Sequence, residues 1–209
     1  MGRSNAVADE RANVYRVADL GRDRDHSAFA VCSKASKLHL LELNHIEQVP
    51  TGVRYTRVMR RLACIVRRLN HAKPVSIHLA LDAAGPGSLA QDLVRDLGVN
   101  FHPIVITGGN TPKVLKSGST SVPRKDLLST LRLLMETKNL GISPDLRHTD
   151  TLLREIAGAH ASGTKAKHDD LVIATALAAQ GYKVANAGAF TAWQSAGLPV
   201  RQPAPTAPA

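Results

Sequence analysis

The sequence predicts one α/β domain, a mixed β-sheet flanked by α-helices. Three observations point there. Strand-like runs follow one another closely near the start, strand and helix patterns then alternate, and 209 residues suffice for one well-packed domain but not for two. The domain is expected over 14–185. A polar arm (1–13) precedes it and a tail (186–209) follows, rich in Pro and Ala from about Gly197.

Val14–Asp19 (VYRVAD), Ser27–Ser33 (SAFAVCS) and Leu38–Val49 read as strands with short connections, which suggests an antiparallel meander. Tyr55–His71 reads as a helix. Val58, Leu62, Ile65, Val66 and Leu69 recur at helical spacing, and Arg57, Arg60, Arg61 and Arg68 fall largely on another face. That basic face suits solvent or phosphates alike. Val75–Asp82 (VSIHLALD) is a buried strand, followed by a Gly85-Pro86-Gly87 turn and a helix at Ser88–Leu97. Asn100–Thr107 is the next strand. The Gly/Ser/Thr-rich stretch Thr107–Val122 reads as a functional loop or flexible hairpin, and it carries Lys113 and Lys116. Helices are expected at Pro123–Thr137, Asp145–Ala161 and Asp169–Gln180.

Composition narrows the function. Lys and Arg number 27 against 17 Asp and Glu, a formal charge of +10, which favours a polyanionic partner. Aromatics are only 3%, too few for base-stacking platforms. Two cysteines, Cys32 and Cys64, read as buried free thiols and define neither a disulfide framework nor a zinc site. No apolar run reaches a membrane span and no signal-peptide core is visible, so the expectation is a cytoplasmic protein without a membrane partner. No G-x-S-x-G elbow is present. In Gly158–Lys165 (GAHASGTK) the Lys and Thr of a phosphate-binding loop are transposed, and the segment follows a helix rather than a strand.

Several acids stand where a core does not want them. Asp19 and Asp82 end apolar strands, and Asp169 and Asp170 open the apolar helix of KHDDLVIATALAA. Each has an ordinary reading, as a turn residue or as a helix cap. Together, on a basic chain, they suggest carboxylates meeting at one rim, where mutual repulsion calls for a cation between them. Mg2+ or Mn2+ suits oxygen donors and phosphate substrates, and two such ions suffice for in-line phosphodiester hydrolysis.

These residues carry a resemblance. The order of elements resembles the ribonuclease-H-like fold, and more narrowly the C-terminal nuclease domain of phage terminase large subunits. The matching pieces are VADLGRDRDHSAFAV, LALDAAGPGSLAQDLV, VPRKDLLSTLRLLMETKNLGI, LLREIAG and KHDDLVIATALAAQ, which span about residues 14 to 181. The resemblance implies a metal-binding, catalytic triad of Asp19, Asp82 and Asp170, with Asp169 as a further ligand or support. His168 and Asp25 would stand behind these ligands. It implies two Mg2+ or Mn2+ ions, double-stranded DNA as substrate, and host cytoplasm as the place of action if the chain is phage-encoded. Lys113, Lys116, Arg124 and Lys125 are the expected backbone contacts. Large terminases also carry a packaging ATPase, and none is expected within these 209 residues, which would be either an isolated nuclease portion or a free-standing relative. A partner ATPase, a small terminase subunit or a portal is expected to complete any packaging machine. Two rivals share the sequence features: a RuvC-like junction-resolving nuclease, and a catalytically silent DNA-binding or assembly module.

Overall fold

The computed structural model describes residues 14–19, 26–34, 41–72, 77–82, 100–162 and 169–186, with backbone alone for 14–19 and for some residues at element ends. The turn at Gly85–Gly87, the helix expected at Ser88–Leu97, Asp25, His168, the arm and nearly all of the tail lie outside the described residues. The strands are β1 (Val14–Asp19), β2 (Ser27–Lys34), β3 (Leu41–Val49), β4 (Ile77–Asp82), β5 (Asn100–Thr107), β6 (Lys113–Val114), β7 (Thr120–Pro123) and β8 (Leu140–Ile142). The described helices are α1 (Tyr55–Ala72), α2 (Arg124–Glu136), α3 (Thr149–Ser162) and α4 (Asp170–Asn186).

All eight strands form one sheet in the order β6-β7-β5-β4-β1-β2-β3-β8. β1, β2 and β3 form the expected antiparallel meander, because their connections are too short for crossovers. β4 returns parallel to β1 after the α1 crossover, and β5 and β7 continue in parallel. The Gly-rich stretch is a hairpin, with β6 antiparallel to β7 on the sheet edge and Gly118 at φ 80° in the tip, a conformation that favours glycine. β8 was not expected from the sequence. Its three residues sit between two helices and pair parallel with β3 from Leu41–Leu140 to Leu43–Ile142.

The pleat sends alternate side chains into two cores. Phe29, Val31, Leu79 and Leu81 meet α1 through Val58, Met59, Leu62, Ile65 and Val66. Ala28, Ala30, Cys32, Leu43 and Ile104 face the other way, onto α2, α3 and α4. α4 is buried continuously from Leu171 to Ala179. It can lie that close because Ala174, Ala176, Ala178 and Ala179 meet a strand surface that includes Ala28 and Ala30. Cys32 lies in this core, where burial pushes its thiol up to about 12 and leaves it inert, whereas Cys64 is half-buried. Among the described residues no helix is long and apolar enough to cross a membrane.

His78 on β4 and His102 on β5 stack, with ring centroids 6.1 Å apart and planes 9° from parallel. Burial lowers both imidazole pKa values, His102 to about 4, and a charge on His78 adds to the effect there. The unfolded chain therefore takes up protons near the ordinary value of 6.5 that the folded chain refuses. The contribution is full above 6.5 and is lost as pH falls towards about 4. Urea unfolding across this window should show stability falling on acidification, more steeply in the wild type than in His102→Gln. Parallel profiles for the two proteins would contradict the burial of this pair.

Candidate active site

The register of the central strands assembles the site. β1 and β4 run parallel and pair up to Ala18–Leu81, so the next step brings the ends of both strands, Asp19 and Asp82, level with each other. Asp19 also pairs with Ala28 across the meander. Asp82 pairs with Ile104 of β5 and is half-buried. Chain directions carry the remaining acids to the same end. β5 and β7 both run parallel to β4, and Thr107 pairs with Pro123, the residue directly before Arg124. The Arg124 guanidinium then donates to Asp169, which fixes the start of α4 at the carboxyl end of the sheet. Asp19, Asp82, Asp169 and Asp170 therefore share one end of the fold.

The adjacent acids are not equivalent. Asp169 is 6% exposed, precedes the helix, and its carbonyl accepts the Ile173 N–H at 2.9 Å. Asp170 opens α4 and is half-buried. Successive helical positions are turned by about 100°, so the two carboxylates leave the corner in different directions. A buried carboxylate needs a countercharge, and Arg124 supplies it. Arg124, one of the expected backbone contacts, thus turns one guanidinium nitrogen towards Asp169 and keeps its side chain partly exposed.

A fifth acid escaped the sequence reading. Glu155 of α3 is only 9% exposed, and its Oε2 accepts the backbone N–H groups of Leu171 at 3.1 Å and Val172 at 3.2 Å. It thereby caps the first turn of α4 from a neighbouring helix. Burial raises its carboxyl above the ordinary value. The charges of Asp170 and Asp169 push the same way, and the two N–H donors pull against them. The signal was present in LLREIAG: Glu155 stands three residues after Leu152 and one before Ile156, both buried, so an acid occupies the apolar stripe of its helix.

Of the expected backbone contacts, Lys113 is exposed on the edge strand β6, level with Ser121. Lys116 is exposed in the hairpin tip, which turns back from the carboxyl end. Lys125 is exposed beside α2's first residue and donates to Asn110 at 2.8 Å. Among the described residues no three His, Cys, Asp or Glu form a metal-binding group, and Asp19 is described by its backbone alone. The acids at this end offer oxygen donors only, a set that suits hard divalent cations.

The cap is testable in the metal-free protein. Glu155→Ala strands two buried N–H donors and should lower stability by about 1–3 kcal/mol. Glu155→Gln keeps an acceptor and should recover most of the loss in urea unfolding with chelator present. Equal losses in both variants would mean that the cap does not hold the helix.

No protein-family model matches the sequence, and no curated protein does. Solved structures match the fold. The large terminase nuclease of thermophilic phage G20c, with bound zinc, aligns with a TM-score of 0.57 at 23% identity over 82% of each chain. The manganese-soaked terminase nuclease domain of human cytomegalovirus gives 0.57 at 12% identity, over 84% of this chain and 86% of that one. The nuclease domain of the P22 large terminase gives 0.52 at 17%, over 84% and 82%. At these identities the likeness is one of architecture: this chain has the ribonuclease-H-like fold of viral large-terminase nuclease domains.

Proposed function

We propose that this chain is a metal-dependent endonuclease that hydrolyses phosphodiester bonds of double-stranded DNA, in the manner of the terminase nucleases that cut concatemeric viral DNA during genome packaging. One observation carries the proposal: two parallel neighbouring strands end level on Asp19 and Asp82, at the end of the sheet where Arg124 and Glu155 fix the acid-bearing start of α4. The fold shared with the G20c and cytomegalovirus nucleases, one holding zinc and the other soaked with manganese, supports the same reading.

Asp19, Asp82 and Asp170 would together hold two Mg2+ or Mn2+ ions, with Asp19 the ligand common to both. Such ions, when bound, supply an activated water and a stabilised leaving oxygen. Asp169 acts as support, because its charge already answers Arg124 and its side chain is buried. Lys113, Lys116 and Lys125 meet the phosphate backbone, which positions the duplex without reading its sequence. Work in packaging would draw on a motor ATPase, a small terminase subunit or a portal as partners.

Nicking of supercoiled plasmid in Mg2+, Mn2+ and chelator tests this. The wild type should cut only with metal, and metal should raise its melting temperature by binding the native state alone. Asp19→Asn and Asp170→Asn should lose cleavage, and Asp19→Asn should lose the thermal shift. Asp169→Asn should cut with a deficit of about 10–100-fold, the usual cost of losing a supporting group. Cleavage by Asp19→Asn at the wild-type rate would sink the triad, and the reverse ranking of Asp169 and Asp170 would exchange their roles. A wild type that binds DNA but never cuts it would leave a silent binding module.

A further inference from the structure

α1 presents a second charged surface that the acid site does not use. Its sequence, YTRVMRRLACIVRRLNHA, contains no acidic residue. Val58, Met59, Leu62, Ile65 and Val66 are buried against the sheet, and Arg57, Arg60, Arg67 and Arg68 are exposed. At about 100° per residue these four arginines fall within a single arc of roughly 100°, opposite the buried stripe. They extend over about 16 Å of helix axis. Glu47 reaches α1 from β3 but is taken by Arg61, whose Nε and Nη2 donate to its carboxylate at 2.8 and 2.7 Å. The four exposed guanidiniums therefore make a cationic row without an acid of their own helix among them.

The row also has a direction. β3 ends beside Ser27 of β2, and Ala28, the next residue of β2, pairs with Asp19. α1 begins six residues after β3 ends and returns the chain to the start of β4, so Arg57 lies towards the carboxyl end of the sheet and Arg68 towards the other. The row thus starts near the acid site and runs away from it along the opposite face of the sheet. Guanidinium forks match phosphate oxygens, and a duplex offers a phosphate charge about every 1.7 Å of its axis.

We propose that the exposed face of α1, through Arg57, Arg60, Arg67 and Arg68, binds the phosphate backbone of duplex DNA outside the cleavage site. This deepens the DNA reading above by naming a second contact surface for the same substrate. The surface gives affinity and register and takes no part in the chemistry, so its loss weakens binding and leaves the rate at saturating DNA unchanged.

The test is binding of a long duplex by the full chain in chelator across a salt series, read by fluorescence anisotropy. Three fourfold variants are compared with the wild type. In the first, Arg57, Arg60, Arg67 and Arg68 are changed to Gln; in the second, the same four are changed to Lys. In the third, Arg132, Lys138, Arg147 and Arg154, exposed on other parts of the molecule, are changed to Gln. The first variant should flatten the plot of log affinity against log salt by about 2–4. The Lys variant should keep most of the wild-type slope, and the third should change it by less than about 1. A wild-type slope in the first variant overturns the proposal, as does equal flattening in the third, which would reduce the effect to total charge. Weaker binding to polyglutamate with an unchanged DNA slope also overturns it, in favour of an acidic protein partner. Flattening in a protein that never cuts DNA upholds this surface and sinks the nuclease reading, whereas cutting with an unchanged slope does the reverse.

Discussion

Parallel pairing of β1 with β4 is the constraint on which the rest of the molecule depends. An antiparallel neighbour would have put its C-terminal acid at the far end of the sheet; the α1 crossover prevents this by returning the chain to start β4 beside the start of β1. Every later element is laid against that pair. β5 and β7 extend the same direction, α2 leaves from the end of β7, and Arg124 at its first position ties down α4. A register slip of one residue between β1 and β4 would turn one of the two acids to the other face of the sheet.

Gathering acids at one rim has an electrostatic cost, and the fold offsets it from two sides. Arg124 lies against Asp169, the most buried aspartate among those described. Glu155 adds yet another carboxylate to the corner, but spends it on the positive end of α4, where two N–H groups would otherwise lack acceptors. Asp170 thus stands on a helix start held by a neighbouring helix and, one residue earlier, by an ion pair to a third. Rigid support of this kind is what a carboxylate needs to present a fixed oxygen to a cation. The two faces of the sheet divide the charge accordingly, with acids at the end covered by α4 and exposed arginines on the back of α1.

Much of this was legible in the sequence, for physical reasons that differ by element. The meander, α1 and the strand-ending acids could be read because their apolar periods are long and regular, and because an acid closing an apolar run is conspicuous. β8 was not legible, since three residues between helices carry no period and become a strand only when β3 offers a free edge. The helix expected from Asp145 begins instead at Thr149, because the chain makes turns over the residues before it. Arg124 and Glu155 show the deeper limit. A cation after proline looks like surface, and a glutamate in a helix looks like solvent face, until long-range packing brings a partner from 45 residues away in one case and from 16 or 17 in the other.

The central claim is that this end of the sheet holds divalent cations. Anomalous diffraction at the manganese edge from crystals soaked in Mn2+ addresses it most directly. One or two peaks should appear between the ends of β1 and β4 and the start of α4, within coordination distance of Asp19, Asp82 and Asp170. Peaks confined to other surfaces, or none at this end under saturating Mn2+, would contradict it.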